Sequence, residues 1–332
     1  MTEALEPSPL MVPMRSIPVP TSISAEAGAV LGHAGAAPIA WPDHPAADDL
    51  AGWLAFIATS DANMAAMVAT VEQDHGTDVA TIPIGAMHCY LARPKGAAER
   101  PERILFEVHG GALICGGGAL CRAMAVRAAS VFQAVVYSAD YRMPPVYPYP
   151  APLDDCFAAY RHLVDRFDPA CIVVHGSSAG GNLAAAVMLR AVAEGLPLPA
   201  GLILETPELD LTESGDSFQT NMFIDTVLQR GLMPVNRLYA AGHDLADPML
   251  SPLFGDFSRG FPPTLLTAGT RDLFLSNAVR MLHRLRQERI PTELLVYEAM
   301  PHGGFFGTPD DRVVEQDLRQ FADRCWNGNL YV

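Results

Sequence analysis

The chain has 332 residues, half of them apolar and 18% charged, which is enough for one large α/β domain with an accessory layer or for two ordinary domains. Its 37 acidic residues stand against 22 Lys and Arg, a net charge of -15 that no basic cluster interrupts, so nucleic acid and anionic membrane surfaces are poor partners. No apolar stretch is long enough to span a bilayer. The opening "MTEALEPSPLMVPMRSIPVPTS" carries acids and prolines where a secretory signal needs a basic start and an apolar core. Cys89, Cys115, Cys121, Cys156, Cys171 and Cys325 lie far apart without a C-x-x-C pair, which predicts reduced thiols in a cytoplasmic protein.

Residues 1–75 begin Pro- and Ala-rich and become amphipathic in "DDLAGWLAFIATSDANMAAMV", predicting helices with no strands between them. From about residue 101 the pattern changes. "RILFEVHG" (103–110), "AVVYSAD" (134–140), "CIVVHG" (171–176), "GLILETP" (201–207), "TLLTAG" (264–269) and "ELLVYE" (293–298) are continuous apolar runs, as parallel strands covered on both faces require. Helical patterns at 152–166, 179–194, 276–289 and 310–326 alternate with them. In the third, Ser276 is placed to cap a helix whose apolar face is Val279, Met281, Leu282 and Leu285. Such alternation predicts an α/β fold with a parallel sheet wrapped by helices. Residues 208–248 interrupt it as a long insertion of the kind that forms lids or binding segments.

The chemistry concentrates at "CIVVHGSSAGGNLAAA" (171–186), where a strand turns into a helix through Gly-x-Ser-x-Gly. A serine hydroxyl is a weak nucleophile and needs exposure and a base. The strained strand-to-helix corner supplies the exposure, with small neighbours leaving room for it, which makes Ser178 the candidate nucleophile. The helix that follows points its N–H groups at developing negative charge. "VHGGALICGGG" (108–118) places a glycine pair straight after a strand, so Gly110 and Gly111, with the Ala179 N–H, are the candidate oxyanion hole. His109 reads as structural, tied to nearby backbone.

"PHGGFF" (301–306) puts His302 on a loop beyond a strand end, the best-placed base among the ten histidines. The acid is expected between nucleophile and base in chain order, after a strand, and "TLLTAGTRDLF" offers Asp272 there. Asp210 and Asp225 also fall between Ser178 and His302 but lie in the insertion. Asp272 would hold the His302 imidazole in the right tautomer and stabilise its charged form.

With Ser178, Asp272 and His302 in this order and His-Gly-Gly upstream, the chain resembles the bacterial hormone-sensitive-lipase-like (family IV) esterases over roughly residues 80–325. "DYRMPPVYPYPAPLDDC" (140–156), "DPMLSPLF" (247–254) and "GTRDLFLSNAVRMLHRLR" carry the likeness further. The resemblance implies the α/β-hydrolase fold with a helical cap, and hydrolysis of esters, usually of short acyl chains, with no metal or cofactor. It also implies N-terminal cap helices in 1–75, a catalytic core in 76–207 and 249–332, and a cap insertion at 208–248. Three positions depart from the family pattern. Ser177 stands where the family usually has aspartate, Ala112 replaces the third glycine of its His-Gly-Gly-Gly, and Val146 replaces a common glutamate. None removes a member of the triad.

Trp41, Trp53, Phe56, Met64, Met67, Met222 and Phe223 are the residues expected either to line an apolar pocket or to pack against the sheet. Within hydrolysis, lactone opening by the same triad is the alternative to a small-ester carboxylesterase, since only the pocket distinguishes them. A non-catalytic small-molecule binder on the same fold is the reading from another class. It would be favoured by a missing triad member, and His302 is present. By analogy to related folds, an exposed edge strand near 292–298 could pair two copies as a homodimer.

Overall fold

The computed structural model describes residues 9–36, 43–69, 76–97 and 101–329. Two helices come first, α1 (Ala25–Ala36) and α2 (Leu50–Ala69). A hairpin of β1 (Asp78–Ile84) and β2 (Met87–Arg93) follows, then β3 (Ile104–Val108), α3 (Ala119–Phe132), β4 (Val135–Asp140) and α4 (Ala151–Val164). Next come β5 (Ile172–Ser177), α5 (Ala179–Glu194) and β6 (Gly201–Glu205). The insertion holds α6 (Ser217–Thr220) and α7 (Met233–Ala240). The chain closes with β7 (Thr264–Gly269), α8 (Leu275–Gln287), β8 (Thr292–Tyr297) and α9 (Pro309–Trp326).

All eight strands join one sheet in the order β1-β2-β4-β3-β5-β6-β7-β8. From β4 to β8 every pairing is parallel, and only β1 and β2 run antiparallel to their neighbours. β3 to β7 are buried at nearly every position, which is why their sequences read as unbroken apolar runs. One face carries Ile104, Phe106, Val174 and Leu204 against α4, α5 and α8. The other carries Leu105, Val173, Ile203 and Leu265 against α1, α3 and α9. Each such side chain contributes about 1.5–3 kcal/mol on burial.

The hairpin and α3 had no sequence expectation. β1 is exposed at most positions, so it shows no apolar run. α3 starts at the glycine run and has small alanines on its buried side in place of a clear stripe. Ser276 is not the cap of α8. That helix begins one residue earlier, with Phe274 at its N-cap position. The Ser276 hydroxyl accepts the Ser217 N–H at 2.9 Å, and the Ser217 hydroxyl accepts the Ser276 N–H at 2.9 Å, tying the insertion to α8.

The strand order reverses at β3. The chain passes from β3 to β4 on one side and then to β5 on the other. The loops after β3 and β5 therefore diverge and leave a crevice at the carboxyl ends of the strands, where open α/β sheets take their ligands.

Candidate active site

Ser178 lies at the corner between β5 and α5 with φ 56° and ψ -121°. A non-glycine residue pays for that backbone with about 1–3 kcal/mol, and here the packing of β5 and α5 holds it. The corner lifts the hydroxyl off the sheet, so Ser178 Oγ sits 2.8 Å from His302 Nε2. On the other side of the ring, His302 Nδ1 is 3.1 Å from Asp272 Oδ1. Asp272 is fully buried and also accepts the Phe274 N–H, which fixes its carboxylate plane. Phe274 meets the imidazole edge-on at 4.8 Å. Burial pulls the His302 pKa down, but the charge and hydrogen bond of Asp272, helped by Asp225 and Glu208, outweigh it and raise it above 6.5.

The three residues expected to meet the oxyanion converge on the same corner. A Cβ built on Gly110 would lie 3.3 Å from the Ser178 Cβ, so the two backbones are in contact. Gly111 has φ +131°, and a Cβ there would fall 2.0 Å from the Cys115 carbonyl oxygen, so only glycine fits. The N–H groups of Gly110, Gly111 and Ala179 donate to no acceptor among the described residues.

Several braces lie behind this loop, and the first of them, His109, has the structural role expected from the sequence. His109 is buried, its Nδ1 2.8 Å from the Gly110 carbonyl, and it stacks on Tyr141 at 4.2 Å. The Tyr141 hydroxyl donates to the His109 carbonyl, and Asp140 accepts the Gly118 N–H at 2.8 Å. Arg142 clamps Asp155 through two hydrogen bonds of 2.9 and 2.8 Å. From α2, Asp61 accepts the Gly116 N–H at 2.8 Å. Among the described residues, His109, Cys121 and Asp140 have ligand atoms within 4.8 Å of one another and form a group that could hold a metal. It lies behind the loop, away from the Ser178 hydroxyl.

Asp225, set aside in sequence as part of the insertion, is the other surprise. It is fully buried, and its carboxylate accepts the N–H groups of Val227, Leu228 and Leu273 at 2.8, 3.0 and 2.9 Å. The His302 N–H lies 3.3 Å from both of its oxygens. Burial, with the neighbouring Asp272 charge, pushes its pKa up to about 6. Asp210 is not near the imidazole contacts; it binds Thr212, Ser214 and Arg280. Glu208 is fully buried, and burial raises its pKa to about 8.

The cleft above Ser178 has a volume of about 320 Å³. Phe56 and Met64 of α2 line it, with Ile114 on one side and Leu228 and Leu232 of the insertion on the other. Trp53 does not line the cleft; it is 1% exposed and packs below, with Ile114, Cys115 and Val235. Phe223 is 76% exposed and does not line the cleft. Met222 does not line it either. Trp41 and the Met67 side chain lie outside the described residues. α1 packs beside α9 on the sheet flank, while α2 and α7 meet over the glycine loop.

Comparison with known proteins places the chain in a family. Residues 105–306 match a family described as the alpha/beta hydrolase fold. An esterase of Acinetobacter venetianus is 33% identical over 207 residues, 61% of this chain and 68% of that protein. The carboxylic ester hydrolase LipN of Mycobacterium tuberculosis is 31% identical over 237 residues, 67% of this chain and 61% of that protein. The crystal structure of an esterase, E25, superposes with a TM-score of 0.84 at 32% identity, covering 95% of this chain and 98% of that one. A hormone-sensitive lipase from a metagenome library gives 0.76 at 28% identity, covering 90% and 97%. Among the described residues, no helix is long and apolar enough to cross a membrane.

Proposed function

The chain belongs to the alpha/beta hydrolase family, among its hormone-sensitive-lipase-like esterases, and from that premise we propose that Ser178, His302 and Asp272 form the triad through which it hydrolyses small carboxylic esters. That it is an ester hydrolase follows from its relatives. The assignment of the residues rests on one observation: a hydroxyl on a strained corner, 2.8 Å from an imidazole nitrogen whose ring is held on its far side by a buried carboxylate.

In the proposed cycle His302 Nε2 takes the Ser178 proton as Oγ attacks the ester carbonyl. The oxyanion that forms meets the N–H groups of Gly110, Gly111 and Ala179, the last at the positive end of α5. The Nδ1–H bond to Asp272 stabilises the imidazolium. His302 returns the proton to the departing alkoxide, leaving the acyl group on Ser178. Water then enters, loses a proton to Nε2 and attacks the acyl carbon, and the acid leaves as the proton returns to Oγ. No step asks for a metal or an organic cofactor.

The cleft of about 320 Å³ suits short acyl groups. We take α2 and the 208–248 insertion as the cap and the sheet with its flanking helices as the core. A cytoplasmic location is part of the same reading, resting on cysteine usage, with all six cysteines free. The experiment is hydrolysis of p-nitrophenyl esters from acetate to decanoate, with a small lactone panel, by wild type and Ser178→Ala. Expected is activity on the short esters, reduced by at least about 10⁴-fold in the variant. Ser178→Ala retaining even a tenth of the wild-type turnover would remove the nucleophile assignment.

A further inference from the structure

The cleft has two unlike ends with Ser178 between them. The outer end, beneath α2 and the insertion, is apolar, with Phe56, Met64 and Leu232. The inner end runs below the corner, between the sheet and the seam of α3 and α9. Its floor is a polar row across three strands. Glu107 of β3 stands in register with His175 of β5, and Ser177 with Glu205 of β6. Leu105, Val173 and Ile203 pack in the α3/α9 cluster, so the two-residue period turns Glu107, His175, Ser177 and Glu205 to the same face. The walls are Val131 of α3 and Leu318 of α9, and Arg127 closes the seam by binding Glu315 at 2.7 Å.

This row holds more hydrogen-bonding capacity than its protein neighbours use. Glu205 Oε2 pairs with His175 Nε2 at 3.1 Å, while no group among the described residues donates to Oε1. The Glu205 side chain is still 15% accessible, and on a central strand that surface faces the cleft. Glu107 is 5% exposed and His175 6%, and Glu107 Oε2 and His175 Nδ1 have no hydrogen-bond partner among the described residues. Burial pushes the Glu205 pKa up, but its hydrogen bond and charge contact with His175, with Arg127 beyond, bring it below the usual value. Glu205 is thus an anion at neutral pH, and Arg127, the nearby cation, is matched by Glu315.

We propose that the inner end is a substrate subsite of its own, which takes the smaller arm of an ester when that arm carries a hydrogen-bond donor, an ammonium or a hydroxyl, with Glu205 as the acceptor. The substrate straddles Ser178, its apolar arm outward under α2 and its donor-bearing arm inward. This rests on the reading of Ser178 as nucleophile. An acceptor that is ionised and walled by apolar side chains favours a donor over a methyl group, because burying the methyl leaves the carboxylate without a partner.

Three p-nitrophenyl esters with arms of equal length test it: butanoate, 3-hydroxypropanoate and 3-aminopropanoate. Each kcat/KM is divided by that ester's own uncatalysed hydrolysis rate. In wild type the 3-aminopropanoate, the 3-hydroxypropanoate or both are expected to exceed butanoate by about tenfold. An advantage confined to the hydroxyl arm identifies a neutral donor; one led by the ammonium identifies a cation. Glu205→Gln keeps an acceptor oxygen but removes the charge, so an ammonium advantage should drop about tenfold and a hydroxyl advantage less. Val131→Phe fills the subsite from the α3 wall and should erase either advantage, which keeps the test open if Glu205→Gln fails to fold. Equal normalised rates for all three esters in wild type would overturn the proposal, as would an advantage that survives Val131→Phe. Butanoate hydrolysis no faster in wild type than in Ser178→Ala would instead bring down the nucleophile reading.

Discussion

Gly180 offers a direct test of how the corner at Ser178 is held. A Cβ added there would lie 2.0 Å from the Val108 carbonyl oxygen and 2.5 Å from that of His109. Real Cβ atoms essentially never approach closer than 3.0 Å, so the two backbones would have to separate by about 1 Å. Neither oxygen belongs to a side chain that could rotate aside. Both sit at the end of β3, which is bonded to β4 on one edge and β5 on the other. Gly180→Ala must therefore push α5, and Ser178 at its start, away from the loop carrying Gly110 and Gly111.

Overpacking of this kind costs about 1–3 kcal/mol, a fall of a few degrees in Tm for a chain of this size. A 1 Å misplacement of reacting groups costs about 10²-fold in turnover. The expected result is a loss of kcat much larger than the loss of stability would explain, read on p-nitrophenyl butyrate beside a thermal melt. Gly32→Ala is the control: it lies within α1, where a Cβ meets nothing within 4 Å, and should gain up to about 1 kcal/mol with unchanged activity. A Gly180→Ala protein that melts with wild type and keeps its turnover within threefold would refute the argument that this close approach sets the geometry.

The raised pKa of His302 predicts that kcat/KM falls with decreasing pH at a midpoint above 6.5, because the base must be neutral to act; a midpoint below 6.5 would contradict it. Asp225→Asn removes one of the charges that raise this pKa, so the same limb should move to lower pH, by up to about one unit, in the pH–rate profile. Asp225 itself is raised in the folded protein to about 6 from the ordinary 3.8 of an aspartate, so the native state binds its proton more tightly than the unfolded chain does. Wild type should accordingly lose stability as pH rises across that window, a step missing from Asp225→Asn in chemical denaturation at pH 4 and pH 7. Asp61→Ala leaves the Gly116 N–H without its acceptor from α2 and should lower kcat about tenfold with a smaller effect on KM, measured at saturating ester.

The legible parts of this molecule were the local ones. Buried parallel strands leave unbroken apolar runs, and all six expected from residue 101 onward are present within a few residues of their expected ends. The serine corner and the two loops bearing Asp272 and His302 could be read because each follows such a run at short range. The hairpin of β1 and β2 left no such run, since it lies at an exposed edge of the sheet. Asp225 could not be recognised because its partners, Leu273 and His302, are 48 and 77 residues away and are met through their backbone N–H groups, which every residue possesses. Asp61 was hidden for the same reason: its acceptor role depends on where α2 docks, and docking is a tertiary fact.

These two carboxylates change what the segments of the proposed cap are for. A cover whose only work was to exclude water could rest on the cleft through apolar side chains, as Phe56 and Leu232 do. Asp61 and Asp225 go further, each reaching out of a segment of the proposed cap to hold backbone beside the proposed catalytic residues. Asp61 secures the loop behind Gly110 and Gly111 at Gly116, and Asp225 joins the acid loop at Leu273 to the base loop at His302. The glycine loop comes from β3, three strands from β7. The loops after the neighbouring β7 and β8 already meet where the Thr270 N–H donates to the Tyr297 carbonyl and the Arg271 N–H to the Met300 carbonyl, so Asp225 adds a further tie between those two. The geometry of the proposed triad and oxyanion hole is thus set mainly by the sheet, which brings the loops to one crevice, and is braced further by the proposed cap through Asp61 and Asp225. Substitutions in the cap are therefore expected to alter turnover as well as substrate range, a coupling that pocket lining alone does not provide.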